Sequence, residues 1–197
     1  YYYDSSQSEL IDHFVQIKNQ TSLPLWVYNI PSTVKTTVEP STIAKLAKDS
    51  IVVGIKDSSG TGEKLAELTY MCKSNDIDLK IFLGSVYRMP YAHKLDAHGV
   101  IPGDANLIPS YAVKAWESGL IGSDTESATY MNKIHEARKI QSLSKLGADI
   151  SSKLSGIKSG LKELGIIECD IMSSPLKSLT EEEKRPIKKI LRSSGLL

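Results

Sequence analysis

Residues 50–60 read Ser50-Ile51-Val52-Val53-Gly54-Ile55-Lys56-Asp57-Ser58-Ser59-Gly60. The first part is apolar and β-branched, which predicts a buried strand over Ile51 to Lys56. The Asp-Ser-Ser-Gly cluster after it predicts a turn. A lysine closing such a strand is unusual, because a buried ammonium is costly. Desolvation lowers a lysine pKa, and a neutral amine attacks a carbonyl to form a Schiff base. The alternative is a strand-end lysine that reaches out to solvent.

Outward from this strand, strands and helices alternate. Helices are expected over Ser8 to Gln20, Pro40 to Lys48, Glu63 to Asn75, Tyr87 to Leu95 and Ser110 to Ser118, with Gly119 as the stop of the last. Strands are expected over Leu23 to Asn29, Leu79 to Gly84 and Gly99 to Pro102, with Pro31-Ser32 as a break. This alternation predicts βαβ units and a parallel sheet covered on both faces, closed into a barrel rather than left open. From Ser123 onward the strands stop. Helices are expected over Ser123 to Leu146, Ile150 to Leu164 and Thr180 to Ser194, broken by Gly147, Gly156 and the Pro175 region. Thr180-Glu181-Glu182-Glu183 reads as a capping box. The expected division is a barrel portion over 1–122 and a helical extension over 123–197.

In a barrel of parallel strands the C-terminal strand ends carry the chemistry. Tyr28 lies near one such end, and Lys56 closes the next strand, one βα unit later. Adjacent strands sit about 4.8 Å apart, so both side chains can reach one pocket. A tyrosine hydroxyl there can pass protons to and from a bound substrate. Gly54 shares the pleat face of Lys56 and is expected to leave room beside the amine. Gly84, ending the third strand, is expected to let a ligand approach the backbone. Each also has a plain reading: packing tyrosine, turn glycine and, for Ile101 in the fourth strand, core residue.

Composition excludes little but is consistent. The chain has 197 residues and a formal net charge of +1, which gives no reason to propose nucleic acid or an anionic membrane as partner. No apolar stretch reaches transmembrane length. Cys72 and Cys169 are far apart, and His13, His93, His98 and His135 form no close ligand pair, so no metal site is expected. A reducing, cytoplasmic home is the simple inference.

At these residues the sequence resembles the dihydrodipicolinate synthase / N-acetylneuraminate lyase family of pyruvate-handling class I aldolases. The matching stretches are Tyr1-Tyr2-Tyr3 followed by Glu9-Leu10 and His13-Phe14, then Leu25, Tyr28-Asn29-Ile30-Pro31, and Gly54-Ile55-Lys56-Asp57-Ser58-Ser59-Gly60. Gly99-Val100-Ile101 and the tail Pro175-Leu176 to Gly195-Leu196-Leu197 also fit. The resemblance implies an α/β fold, a (β/α)8 TIM barrel with a C-terminal helical extension. It implies that Lys56 forms the Schiff base with a 2-keto acid and that Tyr28 shuttles protons there. Tyr2 matches a tyrosine that, in synthase-type members, reaches into the neighbouring subunit's site. Ile101 matches a backbone position lining the pyruvate pocket. No cofactor and no metal is expected. The implied partners are pyruvate and a small aldehyde, with a homo-oligomer, commonly a tetramer.

Two departures bear on the substrate. Synthase-type members carry an arginine where this chain has Thr33, and threonine cannot make a bidentate carboxylate clamp. Many lyase-type members have an acidic residue after the strand-end glycine, where Gly84 is followed here by Ser85-Val86. Ser58 can supply a substrate hydrogen bond or simply serve the turn. The first half of the barrel, with the loop that binds the pyruvate carboxylate in the family, is not represented, so residues upstream of Tyr1 are expected in the native protein. The expected reaction is reversible cleavage of a 2-keto-3-deoxy sugar acid, or a similar 4-hydroxy-2-keto acid, to pyruvate and an aldehyde. The alternatives are dihydrodipicolinate synthase itself, with Thr33 counting against it, and a non-catalytic paralogue.

Overall fold

A computed structural model describes residues 3–60, 62–145 and 149–197. It divides into two compact units, residues 1–102 and 103–197.

In the first unit, a helix α1 (Gln7–Gln20) opens on a capping box between Ser6 and Glu9. Four strands follow: β1 (Trp26–Asn29), β2 (Gly54–Asp57), β3 (Lys80–Leu83) and β4 (Gly99–Val100). All pairings are parallel, and the spatial order is the chain order. Helices α2 (Pro31–Val34) and α3 (Pro40–Lys48) link β1 to β2, and α4 (Gly62–Ser74) links β2 to β3. Val86–Leu95, between β3 and β4, is a 3-10 helix rather than a regular one. Pro90 inside it removes an amide donor and prevents the i to i−4 ladder.

Period 2 sorts the strands into two faces. Val27, Ile55, Ile81 and Leu83 are buried on one, together with Ile43 and Leu46 of α3 and Leu65 and Leu68 of α4 in the core. The other carries Trp26, Tyr28, Gly54, Lys56 and Phe82. Within this unit that face is open: Trp26 and Tyr28 are exposed. The expectation that both faces are covered therefore fails for this unit. Helices lie over one face only, and a barrel buries its other face by closing on itself.

The strand expected over Ile51 to Lys56 becomes regular only at Gly54. Ser50 has φ 56°, which bends the entry. Val53 still joins the ladder, donating to the Leu25 carbonyl at 2.9 Å and accepting from the Lys80 amide at 3.0 Å.

The second unit is helical. A 3-10 turn (Gly103–Asn106) leads into α5 (Pro109–Leu120) and α6 (Asp124–Arg138), followed by a 3-10 turn at Lys139–Ser142. Then come α7 (Asp149–Glu163), α8 (Glu181–Lys184) and α9 (Ile187–Ser194). Four expectations shift here. Gly156 does not break the tail but lies inside α7. Helix α5 runs past Gly119 and stops before Gly122, which supplies the left-handed φ of 72°. The helix expected over Ser123 to Leu146 ends at Arg138, and Leu146 and Gly147 lie outside the described residues. The helix expected over Thr180 to Ser194 is split around Pro186, which cannot donate to the ladder. Its start holds: Thr180 Oγ1 accepts from the Glu183 amide, and the Glu183 carboxylate accepts from the Thr180 amide at 2.9 Å.

Helix α7 packs through small residues. Gly156 lies so close to the Ile140 carbonyl that a Cβ would sit 2.0 Å from its oxygen. The buried Asp170 accepts from Ser159 Oγ at 2.8 Å and pairs with Lys184 at 2.8 Å and Lys162 at 3.1 Å. Among the described residues, no helix is long and apolar enough to cross a membrane.

Candidate active site

The C-terminal ends of β1 and β2 bring Tyr28 and Lys56 opposite one another in the ladder. Both point to the open face. Lys56 Nζ donates to the Tyr28 hydroxyl at 3.0 Å and stands 4.2 Å from the centre of its ring. Lys56 is half-buried, so the strand-end lysine is neither sealed in the core nor free in solvent. Tyr28 is 51% exposed. The hydrogen bond from Lys56 holds the Tyr28 hydroxyl below the ordinary tyrosine range. Partial burial opposes this, and a second hydrogen bond with Ser58 adds to the lowering.

Ser58 thus joins the pair from the first residue beyond β2. Its amide donates to the Asn29 carbonyl at 2.8 Å, which fixes the turn to the end of β1. Gly84 makes room for it: a Cβ on Gly84 would fall 2.0 Å from Ser58 Oγ. The space at Gly84 is therefore taken by the serine, not left for a ligand as the sequence suggests. Gly54 is corrected in the same way. The Trp26 ring covers it, with Cζ3 2.3 Å from where a Cβ would be. Trp26 in turn packs on Phe82, ring centres 5.4 Å apart. Gly54 therefore seats the Trp26 ring rather than leaving an empty space.

Ile101 is 47% exposed, and its amide donates to the Leu83 carbonyl at 2.7 Å. Thr33 is an exposed residue of α2 whose amide donates to the Ile30 carbonyl. Neither touches the Lys56–Tyr28 pair by any hydrogen bond found among the described residues. Tyr2 lies outside the described residues.

Sequence reading alone missed what stands behind the pair. Asn29 and Asp57 each follow a site residue by one position, so the pleat turns them to the covered face, where both are buried. Asn29 Nδ2 donates to Asp57 Oδ1 at 2.9 Å, and Asn29 Oδ1 accepts the Val38 amide at 3.1 Å. Ser59 Oγ donates to Asp57 Oδ2 at 2.9 Å. Period 2 was the available signal: Tyr-Asn and Lys-Asp in paired strands put two reactive groups on one face and two polar clamps on the other. Among the described residues, no group of His, Cys, Asp and Glu is arranged to hold a metal ion.

A partly exposed lysine hydrogen-bonded to a tyrosine at the C-terminal end of a parallel sheet is an arrangement able to supply an amine beside a proton carrier. The family model described as Dihydrodipicolinate synthetase family matches residues 1–194, and the chain belongs to that family. A 4-hydroxy-tetrahydrodipicolinate synthase of Thermodesulfovibrio yellowstonii is 28% identical over 200 residues, covering all of this chain and 64% of that protein. One from Buchnera aphidicola is 29% identical over 194 residues, covering 97% of this chain and 61% of that protein. The dihydrodipicolinate synthase structure from Bacteroides thetaiotaomicron superposes with a TM-score of 0.87 at 29% identity, covering 98% of this chain and 63% of that one. The chain thus spans less than two thirds of the length of these relatives. The fold is part of a TIM barrel with a helical extension.

Proposed function

We propose that this chain carries the Schiff-base centre of a class I lyase that joins pyruvate to an aldehyde. The observation that carries the reading is the 3.0 Å contact between Lys56 Nζ and the Tyr28 hydroxyl at the strand ends. In this reading Lys56 Nζ adds to the keto carbon of pyruvate, and loss of water leaves an iminium. The iminium withdraws electrons from the methyl carbon, which gives up a proton and becomes a nucleophilic enamine. That carbon attacks the aldehyde carbon, a carbon–carbon bond forms, and the aldehyde oxygen takes a proton. Water then cleaves the iminium and restores the amine. Tyr28, with its hydroxyl held below the ordinary range and linked to Ser58, accepts and returns the protons.

Among substrates, the relatives favour the synthase direction, since they are 4-hydroxy-tetrahydrodipicolinate synthases. Removing pyruvate from a dipicolinate skeleton leaves 2-amino-4-oxobutanoate as the aldehyde. Cleavage of a 2-keto-3-deoxy sugar acid is the second reading, favoured by the uncharged Thr33 on α2. Ile101, Ser58 and Thr33 stand in this proposal as substrate-facing positions, and Tyr2 as a residue shared between subunits of a homo-oligomer. A barrel portion over 1–122 and an extension over 123–197 belong to the same proposal. So does a cytoplasmic home, which the two free cysteines suit.

The test is the intact mass of the full-length native protein after incubation with pyruvate and borohydride. One reduced pyruvate adduct, absent in Lys56→Ala, supports the proposal, and turnover of 2-amino-4-oxobutanoate against sugar-acid substrates then chooses the direction. A folded protein that gives no adduct is a non-catalytic relative, and the proposal falls.

A further inference from the structure

The proposed reaction brings a second carboxylate to the site, on the aldehyde, and Thr33 offers it no charge. The first cations along the chain after the C-terminal ends of β1, β2 and β3 are Lys35, Lys64 and Arg88. Lys64 is already committed, with both Glu39 oxygens 2.8 Å from its Nζ. Lys35 is exposed and lies against the Ser32 carbonyl at 3.1 Å. Arg88 differs from both. It is half-buried, and its Nη2 donates to the Gly60 carbonyl at 2.7 Å. Gly60 lies in the turn that follows β2, so this one bond ties the guanidinium to the segment directly after the amine-bearing strand.

The chain also makes room for the guanidinium. A Cβ on Gly62 would sit 3.0 Å from Arg88 Nη1, so a larger residue there would displace it. No ion pair joins Arg88 to a carboxylate among the described residues, although a guanidinium has five donors in a planar fork. A partly desolvated cation with one neutral acceptor is poorly compensated. A carboxylate is the ligand whose geometry matches the fork.

We infer that Arg88 is a specificity-determining residue that takes the carboxylate of the aldehyde substrate, in place of a charge at Thr33. The inference rests on the proposed function. Its test uses the full-length protein with two aldehydes, 2-amino-4-oxobutanoate and its C1 amide, in the presence of pyruvate. Arg88→Gln is expected to raise KM for the carboxylate about ten- to a hundredfold, the loss of a charge-assisted hydrogen bond. KM for the amide should stay unchanged, and Arg88→Lys should restore part of the difference. Lys35→Ala should alter neither. Borohydride trapping of pyruvate should stay intact in all variants, and that separates the two claims: no trapping in the wild type sinks the proposed function. With trapping intact, three results overturn the role of Arg88. These are an equal rise for both aldehydes, which marks a residue that only holds the Gly60 turn, an unchanged KM, or a loss that follows Lys35.

Discussion

Asn29 and Asp57 are joined by a 2.9 Å hydrogen bond directly behind the Tyr28–Lys56 pair, on the opposite face of the same two strands. The two polar clamps and the two reactive groups therefore share one ladder register. A shift of β2 by one residue would exchange its faces and put the lysine into the helix-covered core, and the same shift of β1 would put Tyr28 there.

Asn29→Ala is expected to destabilise the protein by about 1–3 kcal/mol, because it strips a partner from the buried Asp57 carboxylate and from the Val38 amide. Urea unfolding measures it. The same variant should slow pyruvate trapping at Lys56 even at urea concentrations where it remains folded. Unchanged trapping would mean that the clamp serves stability alone.

Tyr28 gives a spectroscopic prediction. Its hydroxyl is held low chiefly by the hydrogen bond from Lys56, so its phenolate should appear below pH ~10, the ordinary tyrosine value. Ultraviolet difference titration of wild type against Tyr28→Phe isolates this band. Lys56→Ala should move the band to higher pH, since the main cause of the lowering is gone. Tyr28→Phe should also slow imine formation by about 10²–10⁴-fold, as expected for a lost proton shuttle.

The sequence already exposed the Lys56–Tyr28 pairing, because one βα unit and a period of 2 suffice to place both on one face. It also exposed the Thr180 capping box, which depends on neighbours in the chain. What it hid came from contacts across strands. Trp26 reaches over to cover Gly54, and Ser58 fills the space at Gly84. A missing side chain reads locally as an empty space, whereas the fold fills that space from the next strand. The end of α5 was misplaced for a related reason. Gly119 is buried inside the helix, and only the backbone angle of Gly122 distinguishes the true stop.

Gly156 and Gly160 face the same Ile140 but should tolerate alanine differently. At Gly156 the added carbon meets the Ile140 backbone oxygen at 2.0 Å, which cannot move without shifting the chain. At Gly160 it meets the tips of the Ile140 and Leu107 side chains at 2.9 and 3.0 Å, which can rotate. Gly156→Ala is expected to cost about 1–3 kcal/mol or more, the range of overpacked cores. Gly160→Ala should cost distinctly less in the same denaturant titration. Equal costs would show that the backbone near Ile140 yields as readily as a side chain.

Asp170 sets the acid limit of the helical unit. Burial pushes its carboxyl up, but hydrogen bonds from Lys184, Ser159 and Lys162 outweigh this and hold it well below the usual carboxylate range. A carboxyl depressed in the folded state contributes stability that is fully present above the unfolded value, about 3.9. That contribution is lost as the pH falls toward the folded value. Lys184 titrates in the opposite sense. The hydrogen bond to Asp170 raises it above the ordinary 10.5, so its contribution is present below that value and lost as the pH rises past it. Wild-type stability should therefore fall steeply below pH ~4, and Asp170→Asn should flatten that slope while lowering stability at pH 7. Denaturant midpoints collected from pH 2 to pH 7 distinguish the cases. A variant as acid-sensitive as the wild type would move the acid limit from Asp170 to other carboxylates.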